Sequence, residues 1–109
     1  LMNSKYLDVN VQLLEKMINQ LQQMNASVVL MTLPAYQTYF KNINIDKYTI
    51  MQHTISNIIK KYQIDYFNYF TDQRFTVKDF LNDDHLSSTG AKKMTQIIWD
   101  DFVKDYVGH

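Results

Sequence analysis

The run Val28-Val29-Leu30-Met31-Thr32-Leu33, closed by Pro34, most constrains what this chain can fold into. It is continuous, apolar and β-branched, without the alternation that leaves one face to water, so it reads as a strand buried on both faces. Amphipathic stretches stand on either side of it. Ahead lie Leu7, Val11, Leu14, Ile18, Leu21 and Met24, spaced by three or four residues as on one helical face, with Asn25 as a terminator. Behind it a loop is expected from Ala35 to Ile45. A helix capped by Asp46 then runs to Tyr62, with Tyr48, Met51, Ile55, Ile58, Ile59 and Tyr62 inward. The aromatic stretch Ile64 to Phe70 reads as a second strand. Strand, helix, strand implies a right-handed parallel crossover.

A polar loop, Thr71 to His85, leads to Ser87 as the cap of a last helix from Ser88 to Tyr106. Ala91, Met94, Ile97, Ile98, Phe102 and Tyr106 form its expected inner face. A chain of 109 residues supports one core, so a single α/β domain over residues 1–109 is expected. Three amphipathic helices need more sheet than two strands supply. That shortage, and a start in which Met stands second, predict the carboxy-terminal part of a larger doubly wound, parallel-sheet domain. The uncovered strand edge invites pairing with a second copy.

Composition narrows the function classes. Eleven basic and eleven acidic residues leave no net charge, and the cations form no stripe with interleaved aromatics, so no nucleic-acid partner is expected. The absence of cysteine excludes a disulfide framework, a thiolate zinc site and a cysteine nucleophile. No apolar run approaches the roughly 20 residues that span a bilayer, so no transmembrane segment is expected. With two glycines there is no phosphate-binding glycine loop. Only Asp83, Asp84 and His85 cluster as metal ligands, without a second histidine nearby, so neither metal nor cofactor is expected.

Chemistry concentrates in Phe80-Leu81-Asn82-Asp83-Asp84-His85-Leu86-Ser87-Ser88-Thr89-Gly90-Ala91, in the loop that enters the last helix. Loops leaving the carboxyl ends of parallel strands form the functional edge of a doubly wound sheet. A histidine there, with its second ring nitrogen held by an acceptor, can activate a serine hydroxyl. Asn82, Asp83 and Asp84 are the candidate acceptors for His85. Leu86 is placed to anchor the loop, Ser87 to cap the helix and Gly90 to allow close backbone approach. The plain alternative makes His85 a surface-loop residue and the aspartates a solvated pair favoured by the helix dipole. The aromatic group Tyr36, Tyr39, Phe40, Tyr66, Phe67, Tyr69 and Phe70 reads as packing or as the lining of a carbohydrate or acyl pocket.

At these residues the chain resembles the carboxy-terminal block of the SGNH (GDSL-like) hydrolase superfamily. That block reads Asp-any-any-His, then Leu or Pro, a capping Asn or Ser, and often Gly-Ala opening the last helix. His85-Leu86-Ser87 and Gly90-Ala91 match it, and Thr32-Leu33-Pro34 resembles the family strand that ends in proline. The likeness is nearest to the envelope-associated branch that includes the D-alanyl transfer protein of teichoic acids and polysaccharide O-acyl-modifying proteins. The resemblance implies a flavodoxin-like sheet and a cofactor-free esterase or acyltransferase acting on a small acyl ester or acylated carbohydrate. It also implies a cell-envelope location. His85 would take the serine proton and return it to the leaving alcohol, oriented by Asn82, Asp83 or Asp84. Two departures stand out. The Gly-Asp-Ser block and the oxyanion residues have no counterpart here, so the isolated chain is expected to lack esterase activity. The position three before the histidine is Asn82 rather than Asp. The competing reading is a non-catalytic α/β module for carbohydrate binding or assembly.

Overall fold

The computed structural model describes residues 4–82 and 85–107. In chain order it contains helix α1 (Ser4–Gln23), strand β1 (Val29–Thr32), a short helix α2 (Gln37–Lys41), helix α3 (Ile45–Tyr62) and strand β2 (Asp65–Asn68). A 3-10 turn (Val77–Asp79), strands β3 (Phe80–Asn82) and β4 (His85–Leu86), helix α4 (Ser88–Ile98), a π-helical stretch (Trp99–Val103) and a last turn α5 (Lys104–Val107) follow. The structure is mixed α/β and mainly helical, with β1 and β2 in a small parallel sheet and β3 and β4 paired antiparallel. The chain resolves into two compact units. One takes the chain up to Thr32 with Ile43–Phe67, and the other takes Leu33–Asn42 with the chain from Asn68.

In the first unit the expected strand-helix-strand order is present as β1, α3 and β2. Ile18 of α1, 1% exposed, and Ile58 of α3 are its buried anchors. The two helices touch, and Gln22 Nε2 donates to the Tyr62 carbonyl at 2.9 Å. Glu15 Oε1 accepts from Lys61 Nζ at 2.7 Å and from the Tyr62 hydroxyl at 3.0 Å. Hydrogen bonding to Lys61, and then to Tyr62, lowers the Glu15 carboxyl, while the same carboxylate raises Lys61. The pair faces solvent, so it aligns the helices more than it stabilises them. The hydroxyls of Thr32 and Tyr66 join β1 to β2.

Several expectations for this unit need correction. β1 is half-buried along its length rather than buried on both faces, because its sheet has only two strands among the described residues. At the far end of the α1 stripe Met24 is 75% exposed, lying beyond the last helical turn. The cap of α3 is Asn44, not Asp46: its Oδ1 accepts from the amides of Asp46 at 3.0 Å and Lys47 at 3.1 Å. Asp46 sits in the first turn, where a carboxylate meets the positive end of the helix dipole. Scarcity of glycine shows at the helix ends, where Asn25 and Gln63 take left-handed backbone with φ of 61° and 54°.

In the second unit the stretch expected as a loop contains α2. The Ala35 amide donates to the Phe70 carbonyl at 3.0 Å, and the rings of Tyr39 and Phe40 pack on Phe70. Phe70, Phe75, Met94, Ile97 and Phe102 are buried. So is Tyr69, whose hydroxyl donates to Asp101 Oδ2 at 2.7 Å; burial, and then that hydrogen bond, push the phenol far above its ordinary value. The inner face of α4 runs through Gly90, Met94 and Ile97, which displaces Ala91 to the surface. The π-helical stretch adds a residue to the helical repeat and shifts the register, so Phe102 is buried but Tyr106 is 43% exposed. The expected loop from Thr71 to His85 instead carries the 3-10 turn and the β3–β4 pair.

Asn44→Ala removes the acceptor for two amides and is expected to cost about 1 kcal/mol. Asp46→Ala touches only the dipole and should cost a few tenths of that, roughly 0.3 kcal/mol. Urea unfolding midpoints of the two variants separate these roles.

Candidate functional site

The site begins with one buried carboxylate. Asp79, 1% exposed, accepts from the Thr76 amide at 2.8 Å and from Lys93 Nζ at 2.7 Å. Lys93 reaches it from α4 and also donates to the Arg74 carbonyl at 2.8 Å. The Asp79 backbone carbonyl accepts from the Ser87 amide at 2.8 Å. Ser87 then works in both directions, donating from Oγ to the Lys78 carbonyl at 2.7 Å and accepting from the Gly90 amide at 3.2 Å as the cap of α4. Gly90 has no alternative at this approach, because a Cβ there would lie 2.0 Å from the Asp79 carbonyl oxygen.

These bonds fix the two ends from which β3 and β4 leave. Phe80 pairs with Leu86 and Asn82 with His85, with an irregularity in register between Phe80 and Asn82. Cross-strand pairing of Asn82 and His85 brings their side chains together: His85 Nδ1 lies 2.8 Å from Asn82 Oδ1. An amide oxygen only accepts, so in the neutral imidazole this contact selects the tautomer with the proton on Nδ1 and the lone pair on Nε2. Both residues are exposed. Of the three candidate acceptors, Asn82 lies beside His85; Asp83 and Asp84 lie outside the described residues. Leu86 is half-buried.

Sequence reasoning missed the Asp79–Lys93 pair that holds this loop. Its only signal is a Thr76-x-x-Asp79 spacing, the pattern of a capping box, within a stretch otherwise read as polar loop. Among the described residues no group of three or more carboxylates and histidines converges on a metal position, and no helix is long and apolar enough to cross a membrane. No protein-family model, curated protein or solved structure matches the chain.

Burial alone would raise the Asp79 carboxyl; hydrogen bonds from Lys93 and Thr76 outweigh it and hold the group below its usual 3.8. Its folded value is depressed, so the stability it adds is present above the usual value and is lost as pH falls through the folded one. Lys93→Met leaves only the Thr76 hydrogen bonds against burial, so the carboxyl is expected to rise above its usual value and the sign of the pH dependence to reverse. The variant should lose about 3 kcal/mol at neutral pH and regain part of it on acidification towards the usual carboxylate range. Urea titrations across pH check both limbs. Long-range nitrogen–proton NMR of neutral His85 should show the Nδ1-protonated tautomer, and Asn82→Ala should mix the two tautomers.

Proposed function

We propose that His85 is the general base of an SGNH-type esterase or acyltransferase acting on O-acyl esters, with Asn82 as its orienting residue. The observation that carries this reading is the 2.8 Å contact of His85 Nδ1 with Asn82 Oδ1, which leaves the basic lone pair on Nε2. In the reaction a serine hydroxyl attacks the ester carbonyl and Nε2 accepts its proton. The tetrahedral intermediate collapses, the alcohol leaves, and Nε2 returns the proton to the alcohol oxygen. A second nucleophile, water or an acceptor hydroxyl, then repeats the sequence to release the acyl group. The Gly-Asp-Ser block that carries the family's serine is not among these 109 residues, so the reading assigns the serine to the parent enzyme. The parallel pair β1–β2 would belong there to a flavodoxin-like sheet. Acylated envelope polysaccharide is the substrate that the resemblance suggests.

Asn82 also favours the second reading, a non-catalytic carbohydrate-binding or assembly module, because an amide supplies no negative charge to an imidazolium. Fluorophosphonate labelling of the longest native product containing this segment separates the two. Labelling should appear, and His85→Ala should slow it by about a hundredfold or more, within the range for loss of a general base. A folded native product that does not label refutes the esterase reading.

A further inference from the structure

We propose that an open cleft of about 620 Å³ in the second unit is a binding site for a neutral saccharide. It deepens the reading above by naming the carbohydrate part of the substrate, and it rests on that reading only for the ester chemistry. The cleft lies between the α2 segment and the stretch that precedes the 3-10 turn, and its size falls within the roughly 300–1,000 Å³ of small-molecule sites. Tyr36, Phe40 and Phe75 supply its aromatic surface, while Gln37, Gln73 and Asp72 supply amide and carboxylate groups.

This mixture distinguishes between ligand classes. A pyranose ring presents an apolar C–H face, which packs on an aromatic ring, and a rim of hydroxyls that both donate and accept. Amide side chains match that rim because each carries donors and an acceptor. An acyl chain fits poorly: among the described lining residues the aliphatic side chains are Ala35 and Val77, set among six polar ones. An anion fits poorly too. Among the described lining residues Lys41 is the one cation, and the Asp72 carboxylate stands on the same cleft. Arg74 fixes that carboxylate through two side-chain nitrogens, Nε at 3.0 Å from Oδ1 and Nη2 at 2.6 Å from Oδ2. Asp72 is thereby held ionised, as an acceptor of set orientation, with its carboxyl below the ordinary value chiefly through the Arg74 hydrogen bond.

The cleft is also coupled to the hairpin that carries His85. The Phe80 ring stands 5.7 Å from Tyr36 and 6.3 Å from Phe75, two of the cleft aromatics, and Phe80 pairs with Leu86 next to His85. Phe80 itself is not in the lining, so the link to the hairpin runs through the ring contacts of Tyr36 and Phe75. Notably, Tyr39 packs on Phe70 and is not in the lining, so the aromatic cluster seen in the sequence divides between packing and cleft.

The test titrates cellobiose, maltose and N,N′-diacetylchitobiose into the isotope-labelled full chain and follows the side-chain amides of Gln37 and Gln73 by NMR. Inorganic phosphate and methyl butyrate serve as the competing probes. At least one sugar should shift both amides, saturating with a Kd in the millimolar range, about −4 kcal/mol. Gln73→Ala, at an exposed position, and Phe40→Leu should each weaken that binding on the order of tenfold. No shift from any of the three sugars up to about 20 mM overturns the proposal, as does a response to phosphate or methyl butyrate alone, or affinity unchanged in both variants. Sugar binding without fluorophosphonate labelling removes the esterase reading and keeps the cleft, whereas labelling without sugar binding does the opposite.

Discussion

The loop that holds the candidate base depends on one buried carboxylate. Asp79 is desolvated almost completely, a costly state for a charge unless it is paired and hydrogen-bonded. Lys93 and the Thr76 amide meet that requirement at the same oxygen, one from α4 and one from the chain before the 3-10 turn. Because both ends of the loop must converge for the carboxylate to be satisfied, the ion pair specifies loop geometry as well as charge. Its contribution is therefore better described as closure than as net stabilisation, since an apolar pair of similar volume could match its energy but not its directionality.

Close packing completes what the ion pair begins. The Asp79 carbonyl sits where a side chain on the first turn of α4 would otherwise stand, and Gly90 yields that space. Ser87 bridges the same elements with hydrogen bonds in both directions. Three independent constraints of charge, volume and capping thus act on the residues flanking β3 and β4. Asn82 and His85 need only extended backbone from such a base to face one another across the pair.

Much of the helical layout was legible from spacing, because α1, α3 and α4 each bury one face and the period of that face is written in the apolar residues. What was not legible has particular causes. Asn44 competes with Asp46 as a cap, and only the backbone position of the first helical residue decides which oxygen the amides meet. Helix α2 has a single turn, too short for any period to show. The π-helical stretch breaks the repeat that placed Tyr106 inward. At the candidate site, His85 and Asn82 were readable as a pair three residues apart, but their facing one another follows from the β3–β4 register. Asp79 stayed hidden because a carboxylate in a polar stretch looks solvated until its lysine, fourteen residues away, is brought to it.

The amide at position 82 is less of a handicap where it stands than it would be in a buried triad. A carboxylate beside the imidazole does two things: it selects the tautomer and it stabilises the imidazolium by charge. The first depends only on an acceptor at hydrogen-bond distance from Nδ1, and Asn82 Oδ1 supplies that at 2.8 Å. The second depends on a low local dielectric, which strengthens the interaction between charges. Asn82 and His85 are exposed, so water and salt would screen most of what an aspartate could add. Replacing charge by an amide therefore surrenders most where a substrate covers the pair and excludes water. On the proposed esterase reading, the cost of the amide is therefore set by how far a bound ester would desolvate His85.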